Sequence, residues 1–150
     1  MNEQISVGHL AHPYQPGWFD LLSVMIDGMM ANAGEEEAAA FLRVMGESLA
    51  ARYPLPEART VQDLEREMNL QLARFNWGFV LLQPQDRALL IQHHALPVGG
   101  ESMEPARWQS AMSAVLNGLF AGWLRGQGGS PAVPVALEMN DGNVLLYRYQ

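Results

Sequence analysis

The stretch Pro105–Arg125 carries apolar residues around nearly its whole circumference, and this single segment constrains everything the chain can build. Trp108, Met112, Val115, Leu119 and Trp123 recur by threes and fours along one stripe, while Leu116, Phe120 and Leu124 form a second. Gly118 and Gly122 lie four apart, where a neighbouring backbone can approach closely. Such a helix needs cover on almost every side. Either its own chain wraps it, or a second subunit covers one face. In the second case Trp108, Met112, Leu116, Gly118, Phe120 and Gly122 are the candidate subunit contacts.

The rest of the chain arranges itself before and after that helix. Residues 1–17 read as a flexible N-terminal arm, with Gly8, Pro13, Pro16 and Gly17 and no apolar period. From Trp18 to Met30, the residues Trp18, Leu21, Leu22, Met25, Ile26 and Met29 share one helical face, with Asp20, Ser23 and Asp27 opposite. After Gly34, Glu35–Glu37 suit a helix first turn. That second helix points Ala38, Phe41, Leu42, Met45 and Leu49 inward and stops before Pro54. Thr60 is a good N-cap for a third helix, in which Val61, Leu64, Met68, Leu72 and Phe75 form the inner face. Glu65 and Asn69 lie four apart on another face.

Beyond Trp77-Gly78 the period shortens. Phe79–Leu82 and Ala88–His93 flank a Pro84-Gln85-Asp86 turn, and Val133–Met139 and Val144–Tyr149 flank Asn140–Asn143. Both read as β-hairpins. The expectation is one α+β domain over residues 18–150: three helices, hairpin, long buried helix, hairpin, with a small antiparallel sheet and the helices on one side. At 150 residues the chain can bury roughly 70% of its unfolded surface and needs no covalent staples.

Composition removes several functions. There is no cysteine, so thiolate chemistry, thiolate metal sites and disulfides are absent. The net charge is −7, and all nine basic residues are Arg, scattered singly from Arg43 to Arg148. No basic patch exists for nucleic acid or an anionic membrane. Met1–Leu10 has neither a basic start nor an apolar run, so a secretory signal is not expected and the chain reads as cytoplasmic.

The reactive side chains are poorly placed for catalysis. His93 and His94 are adjacent on a strand and point to opposite faces, which disfavours a shared metal. His9 and His12 would meet only in a helix that Gly8 and Pro13 discourage. No Gly-x-Ser-x-Gly occurs, and the acids Asp86, Glu101, Glu104, Glu138 and Asp141 fall mostly in turns. Gly126–Gly129 follows a helix and lacks a Lys, so it reads as a helix C-cap. No catalytic residue, metal or cofactor is expected. One positive feature is the arm, where Gln4–Phe19 carries no charge. It offers Ser6, His9, His12, Tyr14, Gln15 and Trp18, the aromatic faces and neutral hydrogen-bonding groups that a neutral sugar polymer requires.

The series Thr60-Val61-Gln62-Asp63-Leu64-Glu65, Glu67-Met68-Asn69, Leu72 and Trp77-Gly78 resembles the D subunit of bacterial cellulose synthase complexes. The likeness continues through Leu90–His93, Leu96-Pro97, Gly118–Phe120, Trp123-Leu124 and Gln127–Gly129, covering roughly residues 60–150. The resemblance implies an accessory protein without catalytic activity, assembled as a ring-like octamer, a tetramer of dimers. It implies inner passages that guide nascent glucan and are lined by N-terminal segments. Other synthase subunits and a small proline-rich protein are the implied partners. A passage for exported glucan makes the periplasm the alternative compartment. From the residues alone, a second reading stays open: an adaptor with a groove beside the sheet that binds a proline-rich segment.

Overall fold

The computed structural model describes residues 16–99 and 103–150. Three helices come first: α1 (Trp18–Ala33), α2 (Glu35–Arg52) and α3 (Val61–Phe75). The hairpin β1 (Phe79–Gln85) and β2 (Ala88–His94) follows, then α4 (Pro105–Gly126), then the hairpin β3 (Val135–Asn140) and β4 (Val144–Tyr149). The four strands form one antiparallel sheet in the order β1-β2-β4-β3. This is the α+β architecture expected from the sequence.

Helix α4 is the centre of the molecule. Leu116, Leu119 and Phe120 are fully buried, and Trp123 nearly so. They pack with Met68 and Leu72 of α3 and with Val80, Ile91, Leu145 and Tyr147 from the inner side of the sheet. Each such side chain contributes about 1.5–3 kcal/mol by leaving water. The N-terminal third of α4 supplies a second cluster, in which Trp108, Ala111 and Met112 meet Ile26 and Leu42. Polar groups on α4 also anchor the flanking loops. The indole of Trp108 donates to the Pro97 carbonyl at 2.7 Å, and that of Trp123 to the Tyr53 carbonyl at 2.9 Å.

The glycines of α4 explain how the chain wraps it. A Cβ on Gly118 would overlap the Arg43 carbonyl oxygen of α2, and one on Gly122 would press on the Ala50 side chain. Reciprocally, a Cβ on Gly46 of α2 would overlap the Val115 carbonyl of α4. The two helices therefore cross with their backbones in contact. This shifts the inner face of α2 from the one expected. Ala38, Leu42, Gly46 and Ala50 are buried, whereas Phe41 and Met45 are exposed. Close approach selects the small residues for the inside and turns the large ones out.

Helix α1 departs from expectation in the same direction. Its buried positions are Ser23 and Ile26, with Phe19 packed against Trp108 at a centroid distance of 5.7 Å. The stripe Trp18, Leu21, Leu22 and Met25 faces outward.

Helix α3 braces the outer edge of β1. Thr60 caps it, its hydroxyl accepting from the Asp63 N–H at 3.0 Å. Leu64, Met68 and Leu72 face the core. The Asn69 amide exchanges two hydrogen bonds with the Val80 backbone, at 3.0 and 2.7 Å, and Glu65 accepts from the Leu82 N–H at 2.8 Å. Side chains thus stand in for a fifth strand. The strand runs through Pro84 to Gln85, so the turn is Asp86-Arg87 and not Pro84–Asp86. Pro84 shares the phase of Val80 and Leu82, whose N–H groups turn toward α3, so its missing N–H breaks no ladder bond. Between α3 and β1, Gly78 takes φ +82° beside the His94 carbonyl, a place no side chain fits.

Candidate functional site

The reactive groups do not converge. His93 is fully buried, and its Nε2 donates to the Trp77 carbonyl at 2.6 Å. That bond fixes the tautomer and leaves Nδ1 as an acceptor with no partner among the described residues. Burial lowers the His93 pKa to about 4, against the Trp77 carbonyl, which favours the charged form, and with a smaller push from His94. His94 lies on the opposite face, stacked on Phe79 at 5.1 Å. The two imidazoles are separated by the sheet, as strand geometry requires.

The acids are equally committed. Glu138 is ion-paired with Arg148 across β3 and β4. Asp141 accepts from the backbone N–H groups of Val144 and Asn143, at 2.7 and 2.9 Å, which holds its pKa below the usual carboxylate range. Tyr147 is buried, donates to the Ser113 carbonyl at 2.7 Å, and has its pKa pushed up by desolvation. Glu101 lies outside the described residues. Gly126–Gly129 closes α4 as a C-cap, with the Gly129 N–H donating to the Leu124 carbonyl at 3.0 Å. Among the described residues no three His, Asp or Glu side chains gather where they could share a metal ion.

Of the arm residues singled out for glucan contact, Ser6, His9, His12, Tyr14 and Gln15 lie outside the described residues. Trp18 is described, at the first turn of α1, with 69% of its surface exposed. The six candidate subunit contacts on α4 fall inside the fold. Trp108, Met112, Leu116 and Phe120 are buried, and Gly118 and Gly122 lie against α2 of the same chain. The cover that α4 demands comes from its own chain.

The surface open to another molecule lies on different helices. Trp18, Leu21, Leu22, Val24 and Met25 of α1 are all roughly half exposed or more, as are Phe41 and Val44 of α2, with Met45 beside them. No Arg lies on α1, and its acids Asp20 and Asp27 flank Val24, on the side of the helix away from Trp18, Leu22 and Met25. The helical spacing by itself sends most of these residues to the interior. The signal that places them outside is the match of Gly46 and Ala50 to Gly118 and Gly122, which fixes the inner face of α2. A second open feature is a groove of about 510 Å³ between α2, α4 and β3. Its walls include Arg43, Asn117, Arg125 and Val133–Leu137. There Arg125 pairs with Glu47 at 2.6 Å, and Asn117 donates to the Val135 carbonyl at 2.8 Å. No helix among the described residues is long and apolar enough to cross a membrane.

Comparison with known proteins gives a consistent result. Residues 7–150 match the family model for the D subunit of cellulose synthase. The chain is 37% identical over 101 residues to cellulose synthase operon protein D of Komagataeibacter xylinus. The protein of the same name from Komagataeibacter sucrofermentans is equally similar. Each alignment covers 65% of this chain and spans 63% of the relative's length.

Proposed function

Because this chain belongs to the family of cellulose synthase D subunits, we propose that it is a non-catalytic accessory subunit of a bacterial cellulose synthase complex. It acts as a homo-oligomeric scaffold, a tetramer of dimers, that guides nascent glucan chains or arranges synthase complexes for export and crystallisation of cellulose. The observation that carries this reading is the set of exposed large apolar residues on α1 and α2, on a chain whose reactive side chains are tied into the fold. Monomers rarely expose apolar patches above ~600 Å², and larger ones mark association sites.

The arm supplies the glucan contact in this scheme. Ser6, His9, His12, Tyr14 and Gln15 precede Trp18, whose exposed indole offers a flat face for a sugar ring. The other synthase subunits and a small proline-rich protein are its partners, and the cytoplasm is its compartment. Mass measurement in solution tests the oligomer, and a stable monomer at micromolar concentration sinks it. Deleting Met1–Gln15 should leave assembly intact and lower cellulose output. Unchanged output removes the arm from the mechanism.

The groove between α2, α4 and β3 favours a second reading, an adaptor for a proline-rich segment. Calorimetric titration separates the two. The adaptor binds such a peptide and ignores cello-oligosaccharides, and substitution of Asn117 or Arg125 weakens the peptide alone.

A further inference from the structure

The sheet has two edges, and they end differently. Along β1, Asn69 and Glu65 take up the outward backbone groups. Along β3 one side chain does so, the Asn117 amide of α4, which donates to the Val135 carbonyl at 2.8 Å. That bond means that Val135 turns its backbone groups away from β4. Leu137 lies two residues on in unbroken register, so its N–H and C=O point to the same open side. Neither finds a hydrogen-bond partner there among the described residues.

Beside this edge lies the groove walled by α2 and α4. Leu137 stands opposite Tyr147 in the ladder, and opposite residues share a face of the sheet. Tyr147 is fully buried on the helix side, so Leu137 is on that side too, yet 40% of it is exposed. Leu137 therefore forms the lip of the groove, uncovered for want of a next strand. Across the groove Arg125 is paired with Glu47, whereas Arg43 makes no ion pair among the described residues. An open strand edge beside a helix groove is the arrangement by which sheets take up an extended peptide.

We propose that β3 takes an extended segment of another protein as a fifth, antiparallel strand, with an acidic side chain of that segment facing Arg43. Antiparallel pairing lets one guest residue meet both open groups of Leu137. Guest residues in that phase also turn their side chains into the groove. One covers Leu137 and Ala121, and another, two positions away, brings its carboxylate to Arg43. The intervening residues turn their N–H groups away from β3, so proline is tolerated there. The proposal rests on the adaptor reading above and adds how the segment is held and which charge it carries.

Charge complementarity selects this occupant. Arg43 is an unpaired cation at an open groove on a chain whose net charge is −7, and a carboxylate answers it. A second copy of β3 fits worse. The register shift between Leu137 and Met139 bends the edge just past Leu137, so the flat run is too short for two such strands to pair along their length. A glucan chain also fits worse, since no aromatic side chain lines the groove.

The test uses the full chain and a capped, fluorescein-labelled peptide, Ser-Val-Thr-Glu-Thr-Val-Ser, read by fluorescence anisotropy. Its two Val residues and its Glu are the ones turned to β3. N-methylation of those three removes the donors that the edge meets and should weaken binding about 10-fold or more. N-methylation of the intervening residues should change it by roughly 2-fold or less. Arg43→Gln, or Gln for Glu in the peptide, should each weaken it about 3-fold, and the two together no further. Leu137→Pro removes the outward N–H without breaking a bond to β4, as Pro84 does on β1, and should abolish binding. Circular dichroism checks its fold. Hydrogen exchange on the wild type is the independent readout, since the Leu137 amide should slow when the peptide is bound. Equal affinity for the two methylated peptides, with the Leu137 amide exchanging at its free rate, overturns strand addition and leaves the adaptor reading standing. A parent peptide that does not bind also overturns the proposal. The adaptor reading then survives only if a proline-rich peptide still titrates.

Discussion

Asn69 and Val80 are joined by two hydrogen bonds, the side-chain amide donating to the Val80 carbonyl at 3.0 Å and accepting from its N–H at 2.7 Å. A helical side chain here does what a neighbouring strand would do, and it closes one edge of the sheet against further strands.

Asn69→Ala should destabilise the protein by about 2 kcal/mol, since it strands a part-buried N–H and C=O together. Urea unfolding measures the loss. Hydrogen exchange should show faster exchange at the Val80 amide, with the Leu82 amide, held by Glu65, less affected.

Gly118→Ala should be among the most damaging single substitutions, costing about 3 kcal/mol, because the new methyl overlaps backbone and no flexible side chain can move away. Thermal unfolding against Gly126→Ala provides the contrast. Gly126 has nothing within 4 Å of the added carbon.

The buried His93 gives the protein an acid-sensitive limb. Its folded pKa of about 4 lies below the ordinary 6.5. Between these values the unfolded chain takes up a proton that the folded chain refuses. The stability tied to His93 is therefore whole above pH 6.5 and falls progressively toward pH 4, by roughly 3 kcal/mol in total. Unfolding midpoints at pH 7, 6 and 5 trace this slope, and His93→Gln should flatten it.

Tyr147→Phe should cost about 1 kcal/mol, leaving the Ser113 carbonyl without its buried donor while the ring stays packed edge-on to Phe120. Denaturant titration checks the size. A loss above several kcal/mol would mean the hydroxyl holds more than this one carbonyl.

Much of the fold is legible in the chain because its signals are local. Thr60 caps α3, Pro105 begins α4, Asp141 and Gly142 turn the second hairpin, and the change of period at Gly78 marks where helix gives way to strand. The inward faces of α1 and α2 are less legible because they are decided by a neighbour. A rule that sends large apolar residues inside fails where Gly118 and Gly122 draw Gly46 and Ala50 into contact, and Phe41 and Met45 are then left outside. Glu65 and Asn69 are visible as a pair on their own face. Their role needs the sheet edge that only the tertiary structure brings to them. The six α4 residues announce a need for cover, but one helix alone does not say which partner supplies it.

The division of labour between α4 and α1 bears on how this chain can change over generations. Both hydrophobic clusters of the interior run through α4. The outward residues of α1 belong to neither. Substitutions at Trp18, Leu22 or Met25 therefore leave the two buried clusters untouched. A lineage can retune what this outer surface meets while inheriting the same interior unaltered.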